Sequence, residues 1–352
     1  MTMGSGTDSR MLSHGNGHRP MPPDAVLVPL DGSALAEEAL PVAVNLAQRG
    51  QAVLHLVAVQ VPSAAAPLFR ISKTTTRRDQ GIRRSLQQYL ASTAESLSAA
   101  HGLRVVWAIQ RGQPAVEVDA YARAHRVGLV VMTTHGRGGL SRLWLGSVAD
   151  QLLRRTAAPV LLLRPGRGAG FGGAQRILVG LDGSEQAEEM LESAIALGAI
   201  TAQASYLLTL VIEPPLAVSL PTEAPLYIQP DWPEPQRGAA ERYLRSLARR
   251  LGEQGLEVRT CVRIGDDVAR QLVALAQETQ STLIALAAHG ARGVERLLLG
   301  SVTDKVIRSA EQPVFVVPPL GARAMASPES VAGAGTSRKG GHGNVQGSVP
   351  AA

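Results

Sequence analysis

One cysteine, three lysines and 3% aromatic residues are the conspicuous shortages of this 352-residue chain. The lone thiol, Cys261, excludes an intrachain disulfide framework and a multi-cysteine metal site, and fits a reducing, cytoplasmic compartment. So few rings argue against a protein that holds single-stranded nucleic acid by stacking bases. Lysine occurs only at Lys73, Lys305 and Lys339, so arginine supplies nearly all the positive charge behind the formal net charge of +6. Such a skew reads as compositional bias, which leaves the basic balance a weak sign of nucleic acid. The cluster Arg77, Arg78, Arg83 and Arg84 is accordingly a solvated helix face, and with no Gly-Lys pair there is no Walker A loop. Met1 to Asp24 lacks the apolar core of a signal peptide and reads as a disordered arm. Ser193 to Ile212 carries no formal charge, but Gly198, Thr201, Gln203, Ser205 and Thr209 interrupt it. It is a helix end, a turn and a strand, not a membrane span.

What the chain does have is an internal repeat. Ala25-Val-Leu-Val-Pro-Leu-Asp-Gly-Ser33 returns as Arg176-Ile-Leu-Val-Gly-Leu-Asp-Gly-Ser184, each followed by an Ala-Glu-Glu helix start at residues 36 and 187. His135-Gly136 with Leu145-Gly146-Ser147-Val148 returns as His289-Gly290 with Leu299-Gly300-Ser301-Val302. The offsets, 182 − 31 = 151 and 289 − 135 = 154, differ by one short loop insertion. The expected organisation is an arm (1–23), a first domain (24–165), a Gly-rich linker (166–174), a second domain (175–319) and a disordered tail (320–352).

Within the first copy, strand and helix patterns alternate. Strands are expected at Ala25 to Leu30, Val53 to Val59, Arg104 to Ile109, Gly128 to Met132 and Pro159 to Leu163. Helices are expected at Ala34 to Gln48, Ile82 to Ala100, Pro114 to Ala124 and Leu145 to Arg155. Runs such as Leu129-Val-Val-Met132 do not alternate, so both faces of the sheet are covered. This is the pattern of an α/β fold with a parallel, doubly wound sheet in each of two tandem domains.

In such sheets ligands bind beyond the carboxyl ends of the strands, where neighbouring loops diverge. The repeated polar residues fall there: Asp31 and Asp182 after the first strand of each copy, Thr133 to Gly136 after the fourth, and Gly-Ser pairs where the next helix begins. A helix start presents unpaired amides, and a glycine beside it lets a phosphate approach the backbone. Nine residues separate Gly136 from Gly146 and Gly290 from Gly300, enough to pass around a small anion, with Arg137, Arg142, Arg292 and Arg296 adding charge.

These residues resemble the universal stress proteins, here as two such domains in tandem, over nearly all of Asp24 to Pro319. The nucleotide-binding members of that family follow the fourth strand with Gly, two residues, Gly, nine residues, then Gly and Ser or Thr. The match is at Gly136, Gly146 and Ser147 and at Gly290, Gly300 and Ser301; the departure is at the first glycine, here Thr133 and Ala287. The resemblance implies a five-stranded parallel sheet of order 3-2-1-4-5 in each domain. It implies ATP or a related adenine nucleotide as ligand, often with Mg²⁺ or Mn²⁺. Asp31 or Asp182 would hold the ribose, Val59 or Leu210 would line the adenine pocket, and the glycine loop with the Gly-Ser helix start would hold the triphosphate. Pro29, Leu30, Met132, His135, Arg137 and Val148 in copy one, and Gly180, Leu181, Leu286, His289, Val302 and Thr303 in copy two, complete the implied nucleotide-binding set. The two copies are expected to form an intramolecular pseudo-dimer through their final strands, with room for a homodimer of chains and for a protein partner that the sequence does not name.

Plainer readings stand beside these. Ser147 with Asp150 and Ser301 with Asp304 fit a capping box, and Asp31-Gly-Ser33 and Asp182-Gly-Ser184 fit simple strand-to-helix turns. As metal ligands or bases His135 and His289 stand alone in each copy, so they read as structural, loop-fixing residues, and Cys261 reads as a buried, inert thiol. The stretch Glu213 to Gln236, with seven prolines, would overhang the second cleft as a lid or partner surface. A nucleotide-free interaction module remains open as an alternative function, as does a slow ATPase.

Overall fold

The computed structural model describes residues 23–62, 73–134, 145–166, 171, 173–214, 233–288, 299–318 and 345–349. Copy one runs β1 (Ala25–Leu30), α1 (Ala34–Glu37), α2 (Leu40–Gly50), β2 (Val53–Gln60), α3 (Lys73–His101), β3 (Val105–Arg111), α4 (Pro114–Ala124), β4 (Leu129–Thr133), α5 (Ser147–Leu153) and β5 (Val160–Leu163). Copy two runs β6 (Ala174–Leu181), α6 (Glu185–Ala199), β7 (Gln203–Ile212), α7 (Glu234–Gly252), β8 (Glu257–Ile264), α8 (Val268–Glu278), β9 (Leu283–Ala287), α9 (Ser301–Ser309) and β10 (Val314–Val317). A last strand, β11 (Val345–Val349), follows. Among the described residues no helix is long and apolar enough to cross a membrane.

All strands join one sheet of order β11-β3-β2-β1-β4-β5-β10-β9-β6-β7-β8. Each copy therefore has the order 3-2-1-4-5, with parallel pairing inside the copy. Because strand side chains alternate, consecutive residues of β1 feed two cores: Val26 and Val28 pack beneath the face carrying α2 and α3, and Leu27 beneath the face carrying α4 and α5. Both cores run on into copy two, through Ile177 and Val179 on one face and Leu178 and Ile284 on the other.

The copies meet where β5 and β10 pair antiparallel, Leu161 opposite Phe315. Flanking this seam, Asp150 with Arg154 and Asp304 with Arg308 form two related ion pairs on α5 and α9. Arg164, just past β5, crosses the seam and donates to the carbonyls of Ala310 (2.7 Å), Ile307 (3.0 Å) and Arg308 at the end of α9. Burial lowers the pKa of its guanidinium, an effect the nearby Glu311 carboxylate partly offsets.

Two expectations change. The helix expected over Ala34 to Gln48 is two, α1 and α2, broken at Glu38 and Ala39. Pro41 in the first turn of α2 has no N–H to give to Glu37, so the helix restarts around it. The matching position of copy two is Glu192, and α6 runs through unbroken. The tail, expected to be disordered, contributes β11 antiparallel to β3; residues 319–344 and the arm before Pro23 lie outside the described residues. In the Gly-rich stretch, Phe171 packs against the first core and Gly166 donates its N–H to Glu38.

Candidate nucleotide site

Each first strand ends in the same turn. Asp31 Oδ1 accepts from Ser33 N at 2.9 Å and from Ser33 Oγ at 2.6 Å; Asp182 Oδ1 accepts from Ser184 N at 3.0 Å and from Ser184 Oγ at 2.6 Å. The glycine between them takes φ +75° at Gly32 and +81° at Gly183, a left-handed conformation that a side chain would strain. The serines cap α1 and α6 by accepting from Ala36 N and Ala187 N. Turn chemistry thus accounts for the glycine and the serine, and it fixes the orientation of each carboxyl group at the carboxyl end of its own copy's strands. Asp31 is half-buried and Asp182 exposed.

At the fourth strands, Met132 and Leu286 are buried in the α4/α5 and α8/α9 core, and Thr133 is buried while Ala287 is half-buried. The next helices start at Gly146 and Gly300, which are the N-caps; Ser147 and Ser301 are the first helical residues, and neither cap has a side-chain hydrogen bond. This removes the capping-box reading: Asp150 and Asp304 each grip an arginine one turn on, both oxygens engaged, instead of reaching back to the helix start. The amides of Gly146 and Gly300 are spent on the carbonyls of Thr134 (2.7 Å) and Ala288 (2.8 Å), which pins the helix start to the strand end. The amides of Ser147, Val148, Ser301 and Val302 donate to no carbonyl among the described residues. They point from the positive end of each helix, beside the two exposed serine side chains.

Other expected site residues have different surroundings. Thr303 is buried and donates its hydroxyl to the Ala287 carbonyl at 2.8 Å, tying α9 to β9. Gly180 is a packing glycine: a Cβ there would stand 2.5 Å from Leu286 Cδ2. Pro29 is half-buried, while Leu30 and Leu181 belong to the α2/α6 core. Val59 and Leu210 are not counterparts. Strand register equates Ala58 with Leu210, since these pair with Leu30 and Leu181, so Val59 corresponds to Val211. A shift of one residue reverses the face, and Val59 packs with the α4/α5 core whereas Leu210 packs with the opposite one. His135, Gly136, Arg137, His289, Gly290 and most of the proline-rich stretch lie outside the described residues. Among the described residues no group of three or more His, Cys, Asp or Glu side chains is placed to hold a metal ion. Cys261 is half-buried on β8, less enclosed than expected.

A second repeated pair escaped the sequence reading. Tyr89 on α3 donates to Glu37 Oε1 at 2.8 Å, joining that helix to α1, which follows the Asp31 turn. In copy two Tyr243 faces Glu188; burial and then that carboxylate push its hydroxyl pKa well above the ordinary value. The separations, 188 − 37 = 151 and 243 − 89 = 154, reproduce the two repeat offsets, which is the signal that would have found it.

Comparison with known proteins agrees with this architecture. The model described as the Universal stress protein family matches residues 23–164 and again 173–318. A universal stress protein of Mycolicibacterium smegmatis is 28% identical over 302 residues, 84% of this chain and 97% of that protein. One from Mycobacterium tuberculosis, MT2052, is 26% identical over 313 residues, 83% of this chain and 94% of its own. The crystal structure of a universal stress protein from Archaeoglobus fulgidus superposes with a TM-score of 0.64 at 21% identity, covering 84% of this chain and 98% of that one, a likeness of fold.

Proposed function

The chain belongs to the universal stress protein family, and from that premise we propose that it binds ATP or a related adenine nucleotide and changes shape or partners with occupancy, as a cytoplasmic stress-response regulator. The observation that carries the reading is the glycine at both N-caps. Gly146 has φ −59° and ψ 143°, and Gly300 has φ −58° and ψ 142°, values open to any residue. Ser or Asp there would cap the helix as well or better, by a few tenths of a kcal/mol. Bare backbone in both copies, beside amides with no carbonyl partner among the described residues, suits the close approach of a phosphate. Asp31 and Asp182, held by their turns, would take the ribose hydroxyls. A divalent cation would arrive on the phosphates themselves, since the described side chains offer no three-ligand group.

The test is an equilibrium titration with a fluorescent adenine nucleotide. Replacing Gly146 and Gly300 together by valine should weaken binding at least about tenfold, or about 1.4 kcal/mol, with an unchanged circular dichroism spectrum. Unaltered affinity would refute the assignment. The buried Thr133, standing where the binding pattern has glycine, favours a second reading for copy one, that of a nucleotide-free interaction module. Mass analysis of nucleotide extracted from the purified protein separates the two: two equivalents per chain would place nucleotide in both copies and sink the module reading for copy one, whereas none would favour the module.

A further inference from the structure

The two outer edges of the sheet are built differently. By register, Val106 and Gln110 of β3 correspond to Arg259 and Arg263 of β8, because their pairing partners on β2 and β7 correspond in turn. The β8 edge is charged: Arg259 faces Glu257 at 3.8 Å and Arg263 pairs with Glu278. Charge of this kind keeps an open edge from recruiting another strand. The β3 edge has none of it from Val105 to Ile109, a run of Val-Val-Trp-Ala-Ile, and that edge is where β11 lies.

The pairing is antiparallel from Val345 opposite Ile109 to Val349 opposite Val105. At its centre Gly347 crosses Trp107, and the fit depends on the missing side chain: a Cβ at 347 would lie 2.5 Å from two ring carbons of Trp107. The segment can come from the same chain. Six inter-strand steps separate β10 from β11, roughly 29 Å at about 4.8 Å each, and the 26 residues between Pro318 and Val345 could span about 90 Å if extended.

We propose that β3 is a latent self-association edge and that residues 345–349 are its built-in guard: with the guard seated the chain is kept from pairing there, and without it β3 pairs antiparallel with β3 of a second copy. A second copy is the fitting occupant because an antiparallel pair of identical strands sets the apolar Val105–Ile109 run against itself with no charge to bury, whereas the β8 edge would bury Arg259 and Arg263.

Sedimentation velocity over a concentration series tests this with four proteins: the full chain, a chain ending at Leu320, the full chain with Gly347→Val, and the shortened chain with Val106→Arg, which gives β3 the charge that β8 carries. The shortened chain and Gly347→Val should dimerise at least about tenfold more tightly than the full chain, and Val106→Arg should return the shortened chain to monomer. The same mass for full and shortened chains, whether monomer or dimer, would overturn the proposal, as would a dimer that survives Val106→Arg. Gly347→Val keeps every other residue in place, so a folding defect of the shortened chain would leave the question decidable.

Discussion

Replacing Arg164 by alanine is expected to lower stability by about 3 kcal/mol, seen as a lower midpoint in equilibrium urea unfolding. This side chain of copy one serves three carbonyls at the end of α9 in copy two. Charge-assisted bonds of this type contribute about 1.5–3 kcal/mol each; the sum is not additive, because water reaches some carbonyls once the guanidinium is gone. A cation at a helix carboxyl end also suits the dipole. No reciprocal contact backs it up, since the position matching Arg164 in copy two is Pro318. Arg164→Lys should recover less than half of the loss, because a single ammonium cannot fork between carbonyls. A midpoint unmoved by Arg164→Ala would mean that solvent serves α9 as well as the arginine does.

Acid should destabilise the protein through His55. Its ring lies buried on β2, with Nδ1 2.9 Å from the Tyr121 hydroxyl; His125 stacks on Tyr121 and its ring centroid is 5.6 Å from that of His55. Burial first, then the charges of His125 and Arg104, bring its pKa down from 6.5 to about 4. The folded protein thus keeps His55 neutral while the unfolded chain protonates it through 6.5. The unfolded state binds the extra proton between pH 6.5 and 4, so stability from this group is whole above about 6.5, falls as pH drops, and is fully lost near 4. A shift of this size corresponds to about 3 kcal/mol as an upper figure. Subtracting the urea profile of His55→Leu from that of the parent should isolate this loss from the carboxylates. A difference that stays flat from pH 7 to 4 would show that His55 is freely protonated in the fold.

Neither effect was legible in the sequence, for a shared reason. His55 and Tyr121 stand 66 residues apart and meet because α4 crosses back over β2; Arg164 and Ile307 stand 143 apart and meet only at the β5/β10 seam. Contacts created by topology leave no local spacing to read. What was legible is what repeats or alternates locally: the strand runs, the helix Pro114–Ala124, the Asp-Gly-Ser turns and the 3-2-1-4-5 order that the family resemblance implied. Val59 and Leu210 were misaligned by one residue because two apolar runs match equally well in either phase until pairing register is known. The break before Pro41 is hidden in the sequence by a helical spacing that continues on both sides of it. β11 was missed because its Val-Gln-Gly-Ser-Val has little strand character without the partner it covers.

The antiparallel seam also decides where the two candidate clefts look. Strands of one copy finish at the end of the slab where strands of the other begin, so Asp31 and Asp182 open toward opposite poles. No single small ligand can bridge them, and a protein seated over one mouth leaves the other uncovered. Influence of one cleft on the other then has to pass through the slab itself, where the grip of Arg164 on the end of α9 is one polar link between the copies.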